Sequence, residues 1–157
     1  MFQLVTPHPH DLLPGRFILR SLVYNNIDEE NYVHQVFKLA KSKNARIHLL
    51  KKDSVPVGFV ALSVKPFNEV PSVKIEYLFT SSLYRKIVFQ EFGDRPLRIS
   101  EYLLGQAISI ANGASRLIPL RYLSLQLASD RLEHFYAHHG FTRVEGTDWM
   151  SIVLPLD

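Results

Sequence analysis

The sequence predicts an α/β protein with a mixed central sheet and helices on both of its faces, in the order β-α-β-β-β-α-β-α-β-β. Three observations lead to this class. Segments with an apolar residue at every second position alternate with segments whose apolar residues recur every three or four positions. Turn-forming residues separate the two kinds of segment. The length of 157 residues, 46% of them hydrophobic, suits one compact domain spanning 1–157.

The strand predictions rest on β-branched and aromatic residues in alternation. We expect strands at 16–23, 46–51, 56–65, 72–80, 121–128, 141–145 and 149–154. In the strand at 72–80, alternation places Val73, Ile75, Tyr77 and Phe79 on one face and Lys74, Glu76, Leu78 and Thr80 on the other. Residues 1–15 are expected to be an extended lead-in, and residues 81–97 an irregular segment that contains an insertion at 81–94.

Three helices are predicted from apolar spacing and from end signals. The first spans 29–42 and follows Asp28 as its N-cap. The second begins at Ile99 or Ser100 and ends near 112–113. The third spans 130–139, with Asp130 and Glu133 as an acidic capping box and Gly140 just past its end.

Composition excludes several classes of function. Without cysteine the chain has no disulfide, no thiolate metal site and no cysteine nucleophile. No apolar run is long enough to span a bilayer, and the N-terminus lacks the pattern of a secretory signal, so we expect a cytoplasmic protein without a membrane partner. The net charge of +3 fits either a solvated surface or weak attraction to a polyanion.

The seven histidines do not predict a metal site. His134 and His138 are four residues apart on the third predicted helix, a spacing that metal-ligating pairs use. No neighbouring glutamate or cysteine completes a set of ligands. We therefore expect no bound metal.

Two local strings add a resemblance to the element order. Residues 129–141 read SDRLEHFYAHHGF and residues 52–62 read KDSVPVGFVAL. Both are similar to motifs of the GNAT superfamily of N-acetyltransferases: a short helix with Phe-Tyr before a Gly-Phe, and a hairpin with an acidic turn before Val-Gly-Phe. The resemblance implies a mostly antiparallel GNAT-like sheet, splayed between the strands at 72–80 and 121–128, and acetyl transfer from acetyl-CoA to a primary amine.

A third string lies where that family binds the cofactor's diphosphate. The family form is Gln/Arg-x-x-Gly-x-Gly/Ala before a helix, and residues 95–100 read RPLRIS, with Arg98 and Ser100 in place of the glycines. The resemblance implies that Arg95, Arg98, Ile99 and Ser100 bind the diphosphate at a helix N-terminus. Ser100 is small enough to cap the helix, and Arg98 offers a bidentate phosphate contact. The alternative is an ordinary helix start with two surface arginines.

Two residues are candidates for catalysis. The resemblance places Tyr136 near the thioester sulfur, where a protonated phenol can donate to the departing thiolate; alternatively, Tyr136 is an amphipathic core residue. Glu76 lies in an otherwise apolar strand, where burial would raise its pKa and suit it to be a general base. Glu76 can equally form a structural ion pair with Lys74. A base acting through water, or no dedicated base, is also common in the family.

Three further residues follow from the resemblance alone. Phe79 and Thr80 lie where the splayed strand offers backbone groups to the pantetheine arm of the cofactor. Ser129 occupies a position where the family often has a cofactor-contacting asparagine, although a serine there can equally be a helix cap.

The leading hypothesis is therefore an enzyme, an N-acetyltransferase that uses acetyl-CoA in direct transfer to a small-molecule or protein amine. One alternative is a catalytically silent module of the same fold that binds acyl-CoA. Another is a toxin-like enzyme that acetylates the amino acid on charged tRNA, since the basic clusters suit such a substrate. The resemblance also allows a homodimer.

Overall fold

The computed structural model describes residues 1–13 and 16–157. The strands are β1 (Phe2–Val5), β2 (Arg46–Lys52), β3 (Val55–Phe67), β4 (Val70–Thr80), β5 (Val88–Phe89), β6 (Leu97–Arg98), β7 (Tyr122–Gln126), β8 (Thr142–Arg143) and β9 (Trp149–Val153). The helices are α1 (Phe17–Ser21), α2 (Ile27–Lys41), α3 (Ile99–Leu117) and α4 (Glu133–His138). Short 3-10 turns cover Pro9–Leu12, Ser82–Tyr84 and Asp130–Leu132. Among the described residues, no helix is long and apolar enough to cross a membrane.

The expected sheet is confirmed. In the described part of the chain, seven strands form one sheet in the order β1-β2-β3-β4-β7-β9-β8. β4 and β7 run parallel, and the other neighbours in this sheet run antiparallel. The remaining strands, β5 and β6, form a separate two-stranded hairpin.

Helices cover both faces of the sheet, as the sequence predicts. On one face α1 and α2 pack over a core that contains Phe37, Phe59 and Phe79. On the other face α3 and α4 pack over a second core, to which Leu103 and Tyr136 belong. The sheet therefore separates two apolar cores, and a gap between two of its strands would connect its two faces.

The predicted first strand is wrong. Residues 17–21 form α1. Ile18 and Leu19 of this helix are buried, and so is Leu22 directly after it. That spacing is helical, but a run dense in apolar residues hides it. Within the expected lead-in, β1 pairs with β2; Pro14 and Gly15 lie outside the described residues. The strands of the main sheet and the three longer predicted helices thus follow the predicted order with β1 as the first strand, while α1 and the β5–β6 hairpin are additions to it.

The alternation predicted for 72–80 breaks at Glu76. Ala61 lies opposite Tyr77 while Leu62 lies opposite Ile75, so Glu76 is an extra residue in the ladder, a β-bulge. Before the bulge Ile75 belongs to the α3-side core. After it Tyr77 packs against the α2-side core. One inserted residue therefore exchanges the faces of the second half of β4.

Several predicted helix ends also shift. The N-cap of α2 is Asn26, whose side chain accepts the Glu29 N–H at 2.9 Å, rather than Asp28. α3 continues past 112–113 to Leu117, and the Asn112 side chain instead accepts the Leu156 N–H at 2.7 Å. Gly140 has the positive φ, +97°, expected after a helix end.

The predicted capping box on the third helix is replaced by an ion pair. Glu133 accepts from the Arg143 guanidinium at 2.6 Å and Asp130 accepts from it at 2.9 Å. The acidic residues therefore tie α4 and the turn before it to β8, which fixes the helix that carries Tyr136.

The insertion at 81–94 is more ordered than the sequence predicts. Phe89 and Phe92 pack against Phe2 of β1, with ring centroids 5.0 and 4.4 Å apart. Phe92 also stacks on Tyr102 of α3 at 4.3 Å. These contacts hold the insertion against the first turns of α3.

Gly58 and Gly105 provide a test of packing. A Cβ at Gly58 would lie 2.7 Å from the Phe79 carbonyl oxygen and 3.2 Å from Ile99 and Leu103 side chains. Gly58→Ala should therefore lower the free energy of unfolding by about 1–3 kcal/mol, as overpacking does. Chemical denaturation measures this change.

Gly105→Ala is the matched control. Gly105 is exposed in the middle of α3, and an added Cβ meets nothing within 4 Å. The substitution should raise stability by about 0.5–1 kcal/mol, the difference in helix propensity between the residues. Equal effects of the two substitutions would contradict the close approach of β3, β4 and α3 at Gly58.

Candidate active site

β4 and β7 part in the middle of the sheet. They pair at Val73–Leu123, Lys74–Ser124 and Ile75–Leu125, and beyond these pairs β4 continues to Thr80 with no β7 partner among the described residues. The splaying that the resemblance implies is therefore present. The gap widens into a cleft of about 280 Å³. Its lining comes from α2, β4, β7, the segment between β7 and α4, and α4 itself: Asp28, Glu29, Tyr32, Ile75, Glu76, Tyr77, Leu78, Leu125, Gln126, Ala128, Leu132 and Tyr136.

The backbone of β4 has free polar groups along this gap. The Ser81 N–H donates to the Val57 carbonyl at 2.8 Å, so the antiparallel alternation directs the backbone groups of Phe79 to β3 as well. Those of Leu78 and Thr80 then point to the open edge. The Thr80 carbonyl already accepts from Arg85 Nε at 2.8 Å. The backbone N–H and C=O of Leu78 and the N–H of Thr80 therefore remain available to a ligand. Besides Thr80, it is Leu78 and not Phe79 that offers backbone groups to the gap.

Tyr136 lies on the α4 side of the cleft. Its side chain packs between Phe135 and Phe141, with ring centroids 5.1 and 5.8 Å away, and the residue is 8% exposed. Its hydroxyl has no hydrogen-bond partner among the described residues. Burial, with a smaller contribution from Tyr77, raises the pKa of Tyr136 to about 12. The site therefore holds a protonated phenol whose donor is unused.

Glu76 is locked in a structural ion pair. Its carboxylate accepts from Ser63 Oγ at 2.6 Å and lies 2.7 Å from Lys65 Nζ and 3.4 Å from Lys74 Nζ. Burial alone would raise the pKa of Glu76, but the hydrogen bonds from Lys65 and Ser63 and the charge of Lys74 outweigh it and hold that pKa below its ordinary value. The raised pKa expected from the sequence is therefore wrong, and the ion-pair alternative describes the residue.

The start of α3 differs in detail from the expectation. Arg98, not Ser100, is the N-cap residue, with an ordinary extended backbone at φ −78°, so no glycine is required there for conformational reasons. The Arg98 N–H donates to the Glu101 carboxylate at 3.0 Å. Ile99 is fully buried, while Arg95 and Arg98 are exposed. A diphosphate would find the N–H groups of the first turn and two guanidinium groups on the surface.

Ser129 lies at the mouth of the cleft beside Ala128. It is the N-cap of the Asp130–Leu132 turn but makes no side-chain capping bond, and it is exposed. Neither of its predicted roles is visible in its contacts.

The structure brings only part of the predicted set together. Tyr136, Glu76 and the end of β4 meet at the cleft, whereas Arg95 and Arg98 lie at the start of α3. Sequence reasoning missed Glu29 and Tyr77. Burial and the charge of Glu29 raise the pKa of Tyr77 to about 12. The acidic first turn of α2 was visible in the sequence, but nothing in it indicates that this turn faces β4.

Among the described residues, no three His, Cys, Asp or Glu side chains are grouped closely enough to hold an ion. The chemistry of the cleft is that of tyrosines, carboxylates and backbone amides.

Comparison with solved structures establishes the fold. The chain superimposes on a mutant of the toxin AtaT bound to the C-terminus of the antitoxin AtaR, with a TM-score of 0.74, 14% identity and coverage of 98% of this chain and 92% of that one. AtaT and KacT, another structural neighbour, have the GNAT fold, and this chain has that fold. No protein-family model and no curated protein matches the sequence.

Two further neighbours were solved with ligands. AtaTR bound with acetyl-CoA matches with a TM-score of 0.74 and 14% identity, over 97% of this chain and 92% of that one. AtaT complexed with acetyl-methionyl-tRNAfMet matches with a TM-score of 0.73 and 12% identity, over 98% and 95%. Each likeness spans nearly the whole of both chains.

The Glu76 ion pair predicts an acid-sensitive stability. The pKa of Glu76 is lower in the folded chain than its ordinary value of 4.5. The ion pair's contribution to the free energy of unfolding is therefore complete above pH 4.5 and is lost as the pH falls through the folded pKa. Glu76→Gln should lower the free energy of unfolding at pH 7 by about 1–3 kcal/mol and should flatten the decline between pH 5 and pH 3, measured by urea denaturation at each pH.

Glu145→Gln is the control, since Glu145 is exposed. The decline in its free energy of unfolding between pH 5 and pH 3 should match that of the wild type. If Glu76→Gln keeps the full acid decline, the ion pair does not carry it.

Proposed function

We propose that this protein is an acetyl-CoA-dependent N-acetyltransferase and that its acceptor is the amino group of an aminoacyl-tRNA. One observation carries the transferase proposal: the free backbone edge of β4 and the unused hydroxyl of the buried residue Tyr136 belong to the same gap in the sheet. A thioester arm needs the first, and a departing thiolate needs the second. The AtaT structures with acetyl-CoA and with an acetylated aminoacyl-tRNA support both parts.

The residues of the chain fit acetyl-CoA as a substrate. The backbone groups of Leu78 and the Thr80 N–H can pair with the amides of the pantetheine arm, as an added strand would. The first-turn N–H groups of α3 suit a diphosphate, and Arg95 and Arg98 can neutralise its charge. Arg98 in place of a glycine is compatible with this role because its φ of −78° needs no glycine and its side chain is exposed.

Tyr136 acts at the sulfur. With a pKa of about 12, its phenol stays protonated at neutral pH. An alkyl thiol of pKa ~8.5 is the stronger acid, so complete proton transfer from Tyr136 to the thiolate is uphill. Tyr136 therefore donates a hydrogen bond to the sulfur as negative charge develops there. The N–H groups of β4 polarise the thioester carbonyl in the same way.

Surface charge supports a nucleic-acid acceptor. The net charge is +3. Exposed basic residues include Lys86, which follows the Ser82–Tyr84 turn, Arg95 and Arg98, which precede α3, and Arg131, which lies in the turn before α4. Phosphate contacts of this kind supply affinity without reading sequence. Such a substrate also agrees with the cytoplasmic location that the sequence predicts.

The assay is acetyl transfer to a mixture of aminoacylated tRNAs, with uncharged tRNA as the control. Mass spectrometry after deacylation should show N-acetylated amino acids, and thiol release should match their amount. Uncharged tRNA should give no thiol release beyond hydrolysis. Binding of acetyl-CoA by calorimetry, without release for any charged tRNA, amino acid ester or peptide amine, would contradict the transferase and would favour a silent acyl-CoA-binding module.

Tyr136→Phe tests the donor. The substitution removes one hydroxyl and keeps the ring, so kcat should fall about tenfold to hundredfold, the value of a hydrogen bond to a charged group. The affinity for acetyl-CoA, measured by calorimetry, should change little because the thioester in the ground state is uncharged.

Tyr122→Phe is the matched control, because Tyr122 lies on β7 against Phe67, with ring centroids 5.2 Å apart, and not in the cleft lining. Its kcat should equal that of the wild type. A Tyr136→Phe enzyme with wild-type turnover would remove Tyr136 from the mechanism.

A further inference from the structure

The cleft has an acidic end that the reaction at the sulfur does not use. Asp28, Glu29 and Tyr32, from the first turns of α2, line it together with Tyr136. Carboxylates in a helix's first turn are ordinary, because they favour the helix dipole. Here, however, one of them is held in place by residues from another element.

Glu29 is fixed from two sides. Its Oε1 accepts from the guanidinium of Arg85 and from the Asn25 N–H at 2.9 Å. Arg85 is itself held by the Thr80 carbonyl at 2.8 Å and lies over the Phe79 ring at 5.4 Å. The Glu29 side chain is 16% exposed. Its position is therefore set by the end of β4, the same segment that forms the open edge.

The second oxygen of Glu29 is unused. Oε2 has no hydrogen-bond partner among the described residues. It is accessible, because every fully enclosed side-chain N or O atom in the described chain has a partner. Tyr136, nine-tenths buried, presents an unpaired hydroxyl to the same cleft. An acceptor and a donor without partners in one cleft call for a ligand with polar atoms at both ends.

The chemistry at this end suits a cation. A carboxylate oxygen accepts strongly from an ammonium N–H. The rings of Tyr32 and Tyr77, with centroids 4.6 Å apart, line the same end, and aromatic faces attract cations. Glu76 cannot take this role, because Ser63, Lys65 and Lys74 already occupy its carboxylate.

We infer that Glu29 binds the ammonium group of the acceptor and places its nitrogen for attack on the thioester. This role rests on the proposed acetyl transfer. The nitrogen loses one proton to solvent, attacks the carbonyl carbon, and the C–S bond breaks. The second proton of that nitrogen ends on the sulfur, so the products are the amide, the thiol and one proton. Glu29 is unchanged.

A change of pH separates this role from a structural one. Arg85 pairs with Glu29, and Tyr77 and Tyr24 lie close enough to feel its charge. Its neighbours in the chain, Asp28 and Glu30, are also acidic. Burial is the main cause that raises the pKa values of Tyr24 and Tyr77 to about 12, so neither phenol titrates between pH 6.5 and 9. An acceptor α-amine, with a pKa of ~8 or below, is the group that titrates in this range.

The experiment compares Glu29→Gln with Glu30→Gln, using acetyl-CoA and alanine methyl ester. Glu30 is the next residue of the same helical turn and is not part of the cleft lining. At pH 6.5 Glu29→Gln should raise KM for the ester about tenfold to hundredfold, with KM for acetyl-CoA unchanged. Glu30→Gln should stay within twofold of wild type. At pH 9 the defect of Glu29→Gln should shrink, because the neutral amine no longer offers a charge.

A binding measurement keeps the inference independent of turnover. In calorimetric titration at pH 6.5, the ester should bind Glu29→Gln at least about tenfold more weakly than it binds wild type. Methyl propionate, which lacks the amine, should bind the two proteins equally. Wild type that transfers no acetyl group yet shows this difference would refute the proposed transfer and keep the ammonium site. Equal binding of the ester by both proteins, or a KM defect that is the same at pH 6.5 and pH 9, overturns the role of Glu29.

Glu29→Asp answers the concern that Glu29→Gln weakens α2. The charge and the pair with Arg85 can persist in Glu29→Asp, but the carboxylate is withdrawn by one methylene. Its melting temperature should be close to that of wild type while KM for the ester rises. A normal KM in a stably folded Glu29→Asp would contradict placement of the amine by this carboxylate.

Discussion

The separation of β4 from β7 is the constraint on which the rest of the structure depends. A sheet pairs its backbone groups wherever it can, since an unpaired buried amide costs about 1–3 kcal/mol. Here pairing stops at Ile75, and the next residue is the bulge at Glu76. A bulge bends a strand and increases its twist. The Glu76 carboxylate contacts Ser63, Lys65 and Lys74, and these contacts hold the bulged segment in place. The ion pair therefore stabilises the strand geometry that opens the sheet.

The same bend decides which groups meet in the gap. Because the bulge exchanges the faces of β4, Tyr77 turns to the α2 side, where it meets Tyr32 and lies near Glu29. Tyr136 reaches the gap from the opposite side of the sheet, where it packs in the α3-side core. Donor and acidic end thus come from different layers, and neither could approach the other through a continuous sheet.

The sequence predicted most of the fold because most of its elements keep a clear period. The hairpin of β2 and β3, helix α3 and the Phe-Tyr helix all have apolar residues at the spacing their structure demands. The segment around Ile18 was misread because dense apolar residues fit either period. The bulge at Glu76 gives no signal in the sequence, because apolar or aromatic residues continue at 73, 75, 77 and 79 on both sides of it. Both faces of the sheet carry an apolar core, so such side chains fit either face.

The site was only half predictable for a related reason. Tyr136 belongs to a local string, so its position could be inferred from its neighbours in the chain. The surroundings of Glu76 and Glu29 depend on residues far away in sequence: Lys65 lies on another strand from Glu76, and Arg85 lies 56 residues beyond Glu29. A carboxylate in an apolar strand suggests a base until its partners are known.

The most direct test of the open seam is a crystal structure of the protein with acetyl-CoA. We expect the pantetheine amides to be hydrogen-bonded to the backbone of Leu78 and Thr80, with the sulfur within reach of the Tyr136 hydroxyl. A structure in which β4 and β7 stay paired as far as Thr80, or in which the ligand lies away from the seam, would contradict the central claim.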